Sequence, residues 1–352
     1  SGLYMVETKM KIALFGTGQM GKAIAHMIKK ISSTHTIHSW DACNAPSGLE
    51  TDGHTVCDLR EIHDHAPDVD LVISSLPYHL NFSLAKLCIE KKVPYCDLGG
   101  SVPVSKKINE LAKEKNAVVF TDLGLAPGWA NIMAEKALGL FPDTVPHTIK
   151  MRCGGLPSTF VVPSEDPFNY KLTWSIEGLH NEYIDDCKIL VDGEIVTVPS
   201  LSETEFVRIK GFPTLEAFTT SGGASHTLSR MREAGVRQCS YKTLRALGHL
   251  DLITYFLKEK KFNAEQMSLL FKDSPLKDQV ILEVEALYED ITYRKTHVIK
   301  AKDGYSAMQR ATAGGLVSAV FSSPEKWSGP LNYGDVDIVF FNRYLKMLEI
   351  VD

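Results

Sequence analysis

The segment that most limits how this chain can fold is Gly16-Thr-Gly18-Gln-Met-Gly21. It directly follows the apolar run Lys11-Ile-Ala-Leu-Phe15 and opens a stretch in which Met20, Ile24, Met27, Ile28 and Ile31 recur at helical spacing. An apolar run without alternation reads as a strand buried on both faces, and the spacing after it as an amphipathic helix. The glycines between them have separate uses. Gly16 permits a tight turn, Gly18 lets phosphates approach the backbone, and Gly21 lets the helix pack closely on the strand. The helix start adds N–H groups and the positive end of a dipole. A lone motif of this kind is weak evidence, and its strand–turn–helix context makes it specific.

Asp41 closes the next apolar segment, Ile37-His-Ser-Trp-Asp41, at the distance expected of an acid that binds a ribose. Its carboxylate suits the adenosine ribose hydroxyls and repels a 2′-phosphate. At ~4 Å and an effective dielectric of ~20, two like charges cost on the order of 4 kcal/mol. Ala42, Cys43 and Asn44 follow, with no adjacent Arg or Lys. The expected cofactor is therefore NAD, ahead of NADP, held by Gly16, Thr17, Gly18, Gln19, Met20, Gly21 and Asp41. Ser75, Leu76 and Pro77 follow the strand-like Val69–Ser74 at the edge where such sheets bind ligands, although a plain turn explains them equally well.

The alternation continues through Thr36–Trp40, Val69–Ser74, Pro94–Asp97 and Ala117–Thr121 as strands, with Leu80–Lys91 and Val104–Lys115 as helices. This predicts an α/β fold with a Rossmann doubly wound parallel sheet over 10–126. Beyond Pro127 strands dominate: His147–Arg152, then Cys187–Val191 and Ile195–Val198 around the hairpin signal Asp192-Gly193, then Gln279–Tyr288 and Thr292–Ile299. In Gln279–Tyr288, Val280, Leu282, Val284, Ala286 and Tyr288 alternate with two glutamates, the pattern of a half-buried strand. Helices are expected at Asn131–Leu140, Arg230–Val236, Leu244–Leu257, Ala264–Phe271, 305–321 and Tyr344–Val351. The expected organisation is the Rossmann domain (10–126), an α+β substrate and dimerisation domain with a mixed or antiparallel sheet (127–304), and C-terminal helices (305–352) packing back on the first domain.

The 352 residues are 44% hydrophobic and 23% charged with a net charge of −5, which gives no electrostatic case for nucleic acid. No apolar run reaches the ~20 residues of a membrane span. Ser1-Gly2-Leu3-Tyr4 lacks the pattern of a signal peptide and reads as a tag remnant before a start at Met5 or Met10. The seven cysteines are scattered without a Cys-x-x-Cys pair, so reduced thiols in a cytoplasmic protein are expected. His35, His38, His54, His63, His65 and His147 have no third donor at ligand spacing, and no metal is expected.

Five further segments, in order, are Cys96-Asp-Leu-Gly-Gly-Ser101, Gly124-Leu-Ala-Pro-Gly-Trp-Ala-Asn131, Cys153-Gly-Gly-Leu-Pro157, Leu172-Thr-Trp-Ser-Ile-Glu-Gly178 and Tyr241-Lys-Thr-Leu-Arg-Ala-Leu-Gly-His249. With the glycine turn they resemble the saccharopine dehydrogenase-like family in its lysine 6-dehydrogenase branch; 190–240 has no such counterpart. Two positions depart. Ala126 stands where saccharopine reductases usually carry Asp, which weighs against saccharopine itself. Ala246-Leu247 stands where Tyr-Pro often follows the T-L-R segment. The resemblance implies an amine-oxidising or imine-reducing dehydrogenase of an amino acid and a homodimer built partly through the second domain's sheet. In the lysine branch the side-chain amine is oxidised to 2-aminoadipate 6-semialdehyde, which cyclises.

Amine oxidation needs a base near neutral pKa to take the ammonium proton and assist water. His249 is the first candidate by type, with a packed histidine as the alternative. Asp122 is the second, with a capping role as the alternative. Arg245 suits a bidentate grip on an α-carboxylate. Thr243 and Tyr241 flank it if the segment is extended. Glu177 and Asn181 lie four apart on a possible helix and suit an ammonium, or form a solvated face. Trp174 walls a pocket or fills a core. Gly99 and Gly100 suit close approach of backbone to ligand, or form a bare turn. Gly154-Gly155-Leu-Pro157 reads as a tight turn. Two other functions stay open at this point: a saccharopine- or carboxynorspermidine-type imine reductase, and a non-catalytic NAD-binding sensor.

Overall fold

Lys11–Phe15 (β1) exposes only its first residue, as expected of a strand covered on both faces. In this computed structural model, which describes residues 9–58, 68–271, 277–322 and 328–352, the chain proceeds from β1 through α1 (Gln19–Ile31), β2 (Thr36–Asp41), β3 (Gly53–Val56), β4 (Leu71–Ser74), α2 (Tyr78–Lys91), β5 (Tyr95–Asp97), α3 (Val102–Lys115) and β6 (Val119–Phe120). Ser1–Met5, His63 and His65 lie outside the described residues. Among the described residues these strands form a parallel sheet in the order β3-β2-β1-β4-β5-β6. This is the doubly wound Rossmann order, in which the chain reverses across the sheet beside β1 and ligands gather at the carboxyl ends of the strands. α1 buries Ile24, Met27, Ile28 and Ile31 on one face, and Lys29 and Lys30 in its last turn suit the negative end of its dipole.

A second compact unit takes Leu125–Ala311, while the first holds the chain up to Gly124 together with Thr312–Ile350. Its elements are α4 (Trp129–Leu138), β7 (Thr148–Pro157), α5 (Ile176–Ile184), β8 (Cys187–Val191), β9 (Glu194–Val198), β10 (Glu205–Val207), β11 (Leu215–Thr219), α6 (Thr227–Glu233), β12 (Gln238–Ala246), α7 (His249–Thr254), α8 (Ala264–Phe271), β13 (Asp278–Leu287) and β14 (Thr292–Lys300). The sheet is mixed, in the order β10-β11-β12-β7-β13-β14, with β8 pairing β12 and β9 pairing β8; β12 and β7 run parallel and the other pairs antiparallel. The β8–β9 hairpin turns on Asp192 and Gly193, at φ 51° and 84°, the backbone a two-residue turn requires.

Three expectations are corrected here. Gly154-Gly155-Leu-Pro157 is not a turn: β7 runs straight through it. A Cβ at Gly154 would lie 2.2 Å from the Leu244 carbonyl oxygen, so glycine is required by the close approach of β12. Residues 244–246 are strand rather than helix, because Leu215–Ala217 of β11 pair with them, and Gly248 at φ 90° turns the chain into α7. The glutamate face of β13 is not solvated. Glu283 and Glu285 are buried and meet Arg152 of β7 at 2.8 and 3.5 Å, and Glu285 also takes Arg294 of β14. Gly154→Ala is expected to wedge β7 from β12 and destabilise the chain by about 2–4 kcal/mol, measurable as a lower midpoint in urea.

The chain ends with α9 (Ala307–Phe321) and α10 (Ile338–Met347), the latter earlier than expected because Asp337 accepts the Val339 and Phe340 N–H groups and starts the helix there. Within the first unit, the Leu331 N–H donates to the Val119 carbonyl at 2.8 Å and the Tyr333 hydroxyl to the Asp122 carbonyl at 3.1 Å. No helix among the described residues is long and apolar enough to cross a membrane, and no group of three metal-type donors occurs among them.

Candidate active site

In the first unit, every expected cofactor residue lies at the carboxyl edge of the sheet. Gly16 has φ 91°, and a Cβ there would meet Ser75 Oγ at 2.8 Å. A Cβ at Gly21 would lie 2.0 Å from the Gly16 carbonyl oxygen, so α1 can pack on β1 only without one. At Gly18 a Cβ would meet nothing within 4 Å, and Gly18 and Gln19 are exposed. These residues fit the cradle of a dinucleotide, whose phosphates the start of α1 would hold. Thr17 also ties the glycine turn to the acid. Its N–H and hydroxyl both donate to Asp41 Oδ2, at 2.6 and 2.9 Å, so Thr17 positions the acid. Burial pushes the Asp41 carboxyl up, but these bonds and the Cys43 N–H outweigh it and leave it below the usual range, ionised at any working pH. Lys22 of α1 reaches the loop after β2, where its ammonium donates to the Ser47 carbonyl at 2.7 Å. Ser75 Oγ donates to the Gly16 carbonyl at 2.8 Å, Leu76 packs into the core beneath the sheet, and Pro77 precedes α2.

Asp97, which ends β5, and Asp122, just after β6, form a buried carboxyl pair at the same edge. Asp97 accepts the Gly99 N–H at 2.8 Å, the Tyr95 hydroxyl at 2.9 Å and the Asp122 N–H at 3.1 Å. Burial, then the charge of Asp122, push the Asp97 carboxyl up to about 7. Asp122 stands at φ 60° and accepts the Ser105 hydroxyl at 2.6 Å. The paired glycines are explained by these neighbours. A Cβ at Gly99 would lie 2.3 Å from Asp122 Oδ1, and one at Gly100 3.2 Å from Tyr78 Cβ, with both backbones at positive φ.

In the second unit, β12 is extended through Arg245, so Tyr241, Thr243 and Arg245 share a face, as expected. Arg245 is 3% exposed. Its Nε donates to the Tyr183 hydroxyl at 2.9 Å, its Nη1 to the Leu244 carbonyl at 2.9 Å, and its guanidinium lies 4.6 Å from the centre of the Tyr170 ring. Among the described residues no carboxylate comes within ion-pair distance of it. Glu216, directly across on β11, instead accepts the Leu250 N–H at 2.6 Å and the Gly248 N–H at 3.4 Å, holding the turn into α7. Burying a guanidinium is expensive unless a counter-charge meets it, so Arg245 is suited to an anionic group brought by a ligand. Thr243 bonds the Thr220 hydroxyl at 2.7 Å, and the Tyr241 ring packs against Gly223. Trp174 donates to the Tyr170 hydroxyl at 3.1 Å and so braces the ring beneath Arg245. Glu177 is exposed and accepts the Ser175 hydroxyl at 3.0 Å at the start of α5, which occupies it there.

His249 is not a base near neutrality. It is 0% exposed, ringed by Phe168, Tyr170, Tyr183 and Phe271, and its nitrogens meet the Tyr183 hydroxyl at 3.1 Å and the Phe168 carbonyl at 3.2 Å. Burial, then the charge of Arg245, push it down to about 3 from 6.5. Because the folded value is depressed, its contribution to stability is complete above 6.5 and is lost as pH falls toward about 3. His249→Gln is expected to move the acid-unfolding midpoint to lower pH, followed by tryptophan fluorescence, with no shift in the pH profile of turnover.

Tyr170, Tyr183 and Glu182 carried no expectation from the sequence. Leu179 and Tyr183 form the buried stripe of α5, and Glu182 beside them was the available signal: an acid at the flank of an apolar face.

Residues 12–120 match the saccharopine dehydrogenase NADP binding domain and residues 124–323 the saccharopine dehydrogenase C-terminal domain. The chain belongs to the saccharopine dehydrogenase family. It is 24% identical over 287 residues to the mitochondrial alpha-aminoadipic semialdehyde synthase of Mus musculus, covering 74% of this chain and 29% of that one. It is 29% identical over 174 residues to the saccharopine dehydrogenase [NADP(+), L-glutamate-forming] of Saccharomyces cerevisiae, covering 47% of this chain and 37% of that one. The chain thus spans about three-tenths of the length of the synthases it matches. The solved apo histidine-tagged saccharopine dehydrogenase (L-Glu forming) from Saccharomyces cerevisiae shares the fold, with a TM-score of 0.72, 15% identity and 97% of each chain covered.

Proposed function

We propose that the chain is an NAD-dependent dehydrogenase that oxidises the side-chain amine of a lysine-like amino acid, the reaction of the lysine 6-dehydrogenase branch. The observation that carries this reading is Arg245, a buried cation with no carboxylate within ion-pair distance among the described residues, in the C-terminal domain of a family that handles amino acids. Tyr183 and Tyr170 fix its guanidinium, which leaves its remaining donors to take a substrate carboxylate. The cofactor, when bound, accepts hydride from the carbon that bears the amine. Gly16, Gly18 and the start of α1 hold its phosphates and Asp41 its ribose. Asp122 takes the proton that the substrate ammonium must lose before hydride leaves. Water then adds to the iminium, so ammonium, one proton, the aldehyde and NADH are the products.

Asp41 supports NAD over the NADP named for the family domain and the yeast relative. The second reading is an NADP-dependent imine reductase, favoured by those names and by Lys22 beside the loop after β2. Ala126 and Asp41 weigh against it. Residues 127–304 serve in this proposal as the substrate and dimerisation domain, with a homodimer across the mixed sheet, whose end strand β10 carries the exposed Phe206. All seven cysteines are free thiols, in keeping with a reducing, cytoplasmic setting. Formation of NADH from NAD with L-lysine tests the proposal; reaction only with NADPH and an imine favours the second reading.

A further inference from the structure

Asp122 holds a backbone conformation that side chains seldom take, at φ 60°. A residue keeps such a geometry only where its surroundings fix it on several sides, and it then marks a place where position matters. Asp122 is held at its N–H, its side chain and its carbonyl. The Asp97 carboxylate accepts the N–H at 3.1 Å, the Ser105 hydroxyl donates to Oδ1 at 2.6 Å, and the Tyr333 hydroxyl donates to the carbonyl at 3.1 Å. Asp97 grips the next residue too, since its main-chain carbonyl accepts the Leu123 N–H at 2.9 Å. The Tyr95 hydroxyl and the Gly99 N–H hold Asp97 in turn. Tyr333 arrives from the far end of the chain. Pro330 bridges Val119 in parallel, and the Leu331 N–H donates to the Val119 carbonyl at 2.8 Å. The Asp335 carboxylate takes the Asn332 N–H at 2.7 Å and closes the short turn that carries Tyr333. The segment thus adds to the β6 edge of the sheet, and its tyrosine is buried with its ring centre 6.1 Å from that of Phe120. All these groups belong to the first unit. Residues 330–335 lie beyond both family domains that the chain matches. A terminal segment packed for stability alone has no need to bond a residue in left-handed backbone, and this one does.

We propose that Asp97 and Tyr333 are positioning residues of the reaction: through the N–H and the carbonyl of Asp122 they hold it in its left-handed conformation and so aim its carboxylate at the reacting amine. The C-terminal segment is then part of the catalytic apparatus as well as a strap on the sheet. The proposal rests on the role given to Asp122 above and deepens it. Loss of either grip lets the backbone relax to an ordinary conformation, and the carboxylate swings away from the proton it must move. The expected signature is a slower chemical step with substrate and cofactor binding kept, because other groups hold the glycine turn, Asp41 and Arg245.

Tyr333→Phe removes the hydroxyl and keeps the ring. In the whole chain it is expected to lower kcat about tenfold to thirtyfold, with KM for the amino acid and Kd for NAD within about twofold and the thermal midpoint within about 4 °C. Asp97→Ala should lower kcat at least as much, and Asp97→Asn, which keeps an oxygen for the Asp122 N–H, should recover most of it. Amide exchange should quicken in Tyr333→Phe on peptides that cover residues 117–125. The deciding comparison is a double-mutant cycle with Asp122→Asn, which itself costs about a hundredfold. If Tyr333 works through Asp122, adding Tyr333→Phe to Asp122→Asn changes kcat by less than about twofold. Losses that multiply in the cycle, an unchanged kcat in Tyr333→Phe, or a fall in kcat matched by a rise in KM would overturn the proposal. The lysine reading is scored apart, by running the cycle also with NADPH and the cyclic imine of lysine, where Asp122 returns the proton. Non-multiplying losses in that direction without lysine oxidation keep the positioning and remove the lysine reading. Lysine oxidation with multiplying losses overturns the positioning and leaves that reading standing. Turnover in neither direction overturns both.

Discussion

Arg245→Met is expected to lower kcat/KM for the amino acid by about two to three orders of magnitude while the thermal midpoint moves by only a few degrees. The loss of activity follows from removing the cation proposed to meet the substrate carboxylate, worth ~3–4 kcal/mol at a recessed site. The small change in stability follows from opposing terms. Arg245 gives hydrogen bonds to Tyr183 and Leu244 and a cation–π contact with Tyr170, each worth about 1–3 kcal/mol. Against these stands the burial of a charge with no counter-ion among the described residues, which costs several kcal/mol. A methionine fills similar volume and removes both sides of the account. The variant should retain NAD affinity within about twofold, because Asp41 and the glycine turn are untouched. Parallel loss of stability and NAD affinity would instead mark Arg245 as a structural brace.

The second large effect is at Asp41. The parent chain is expected to favour NAD over NADP by about two to three orders of magnitude in kcat/KM, the scale of one like-charge contact with the 2′-phosphate. Asp41→Ser should narrow that preference to within about tenfold. It should also weaken NAD itself, since the Thr17 N–H and hydroxyl lose their acceptor and the glycine turn loses a tie to β2. Steady-state kinetics with both cofactors separates the two effects. A parent chain that prefers NADP would show that Lys22 leaves the Ser47 carbonyl to serve a phosphate.

The Rossmann half was legible because its signals are local. An unbroken apolar strand, a glycine turn, a helical stripe and an acid sit within some thirty residues, and each reads independently. The β8–β9 hairpin was legible for the same reason, since Asp192-Gly193 carries its own backbone preference. What failed depends on neighbours distant in sequence. Glu283 and Glu285 look like a wet face until Arg152 of β7 stands beside them, and Gly154 looks like a turn until β12 presses on it. β11 supplies the buried partner of β12, yet 190–240 resembled nothing that could place it. His249 was chosen for its type. Its neutrality is set by an aromatic cage assembled from Phe168, Tyr170, Tyr183 and Phe271, none of which adjoins it in sequence.

The most direct test of the central claim is the rise in absorbance of reduced nicotinamide when the purified chain is mixed with NAD and L-lysine at mildly alkaline pH. Steady NADH formation is expected with L-lysine, far slower reduction with NADP, and none with L-norleucine, which lacks the reacting amine. No turnover with any amino acid while NAD still binds, or turnover only when NADPH is supplied with an imine, would contradict it.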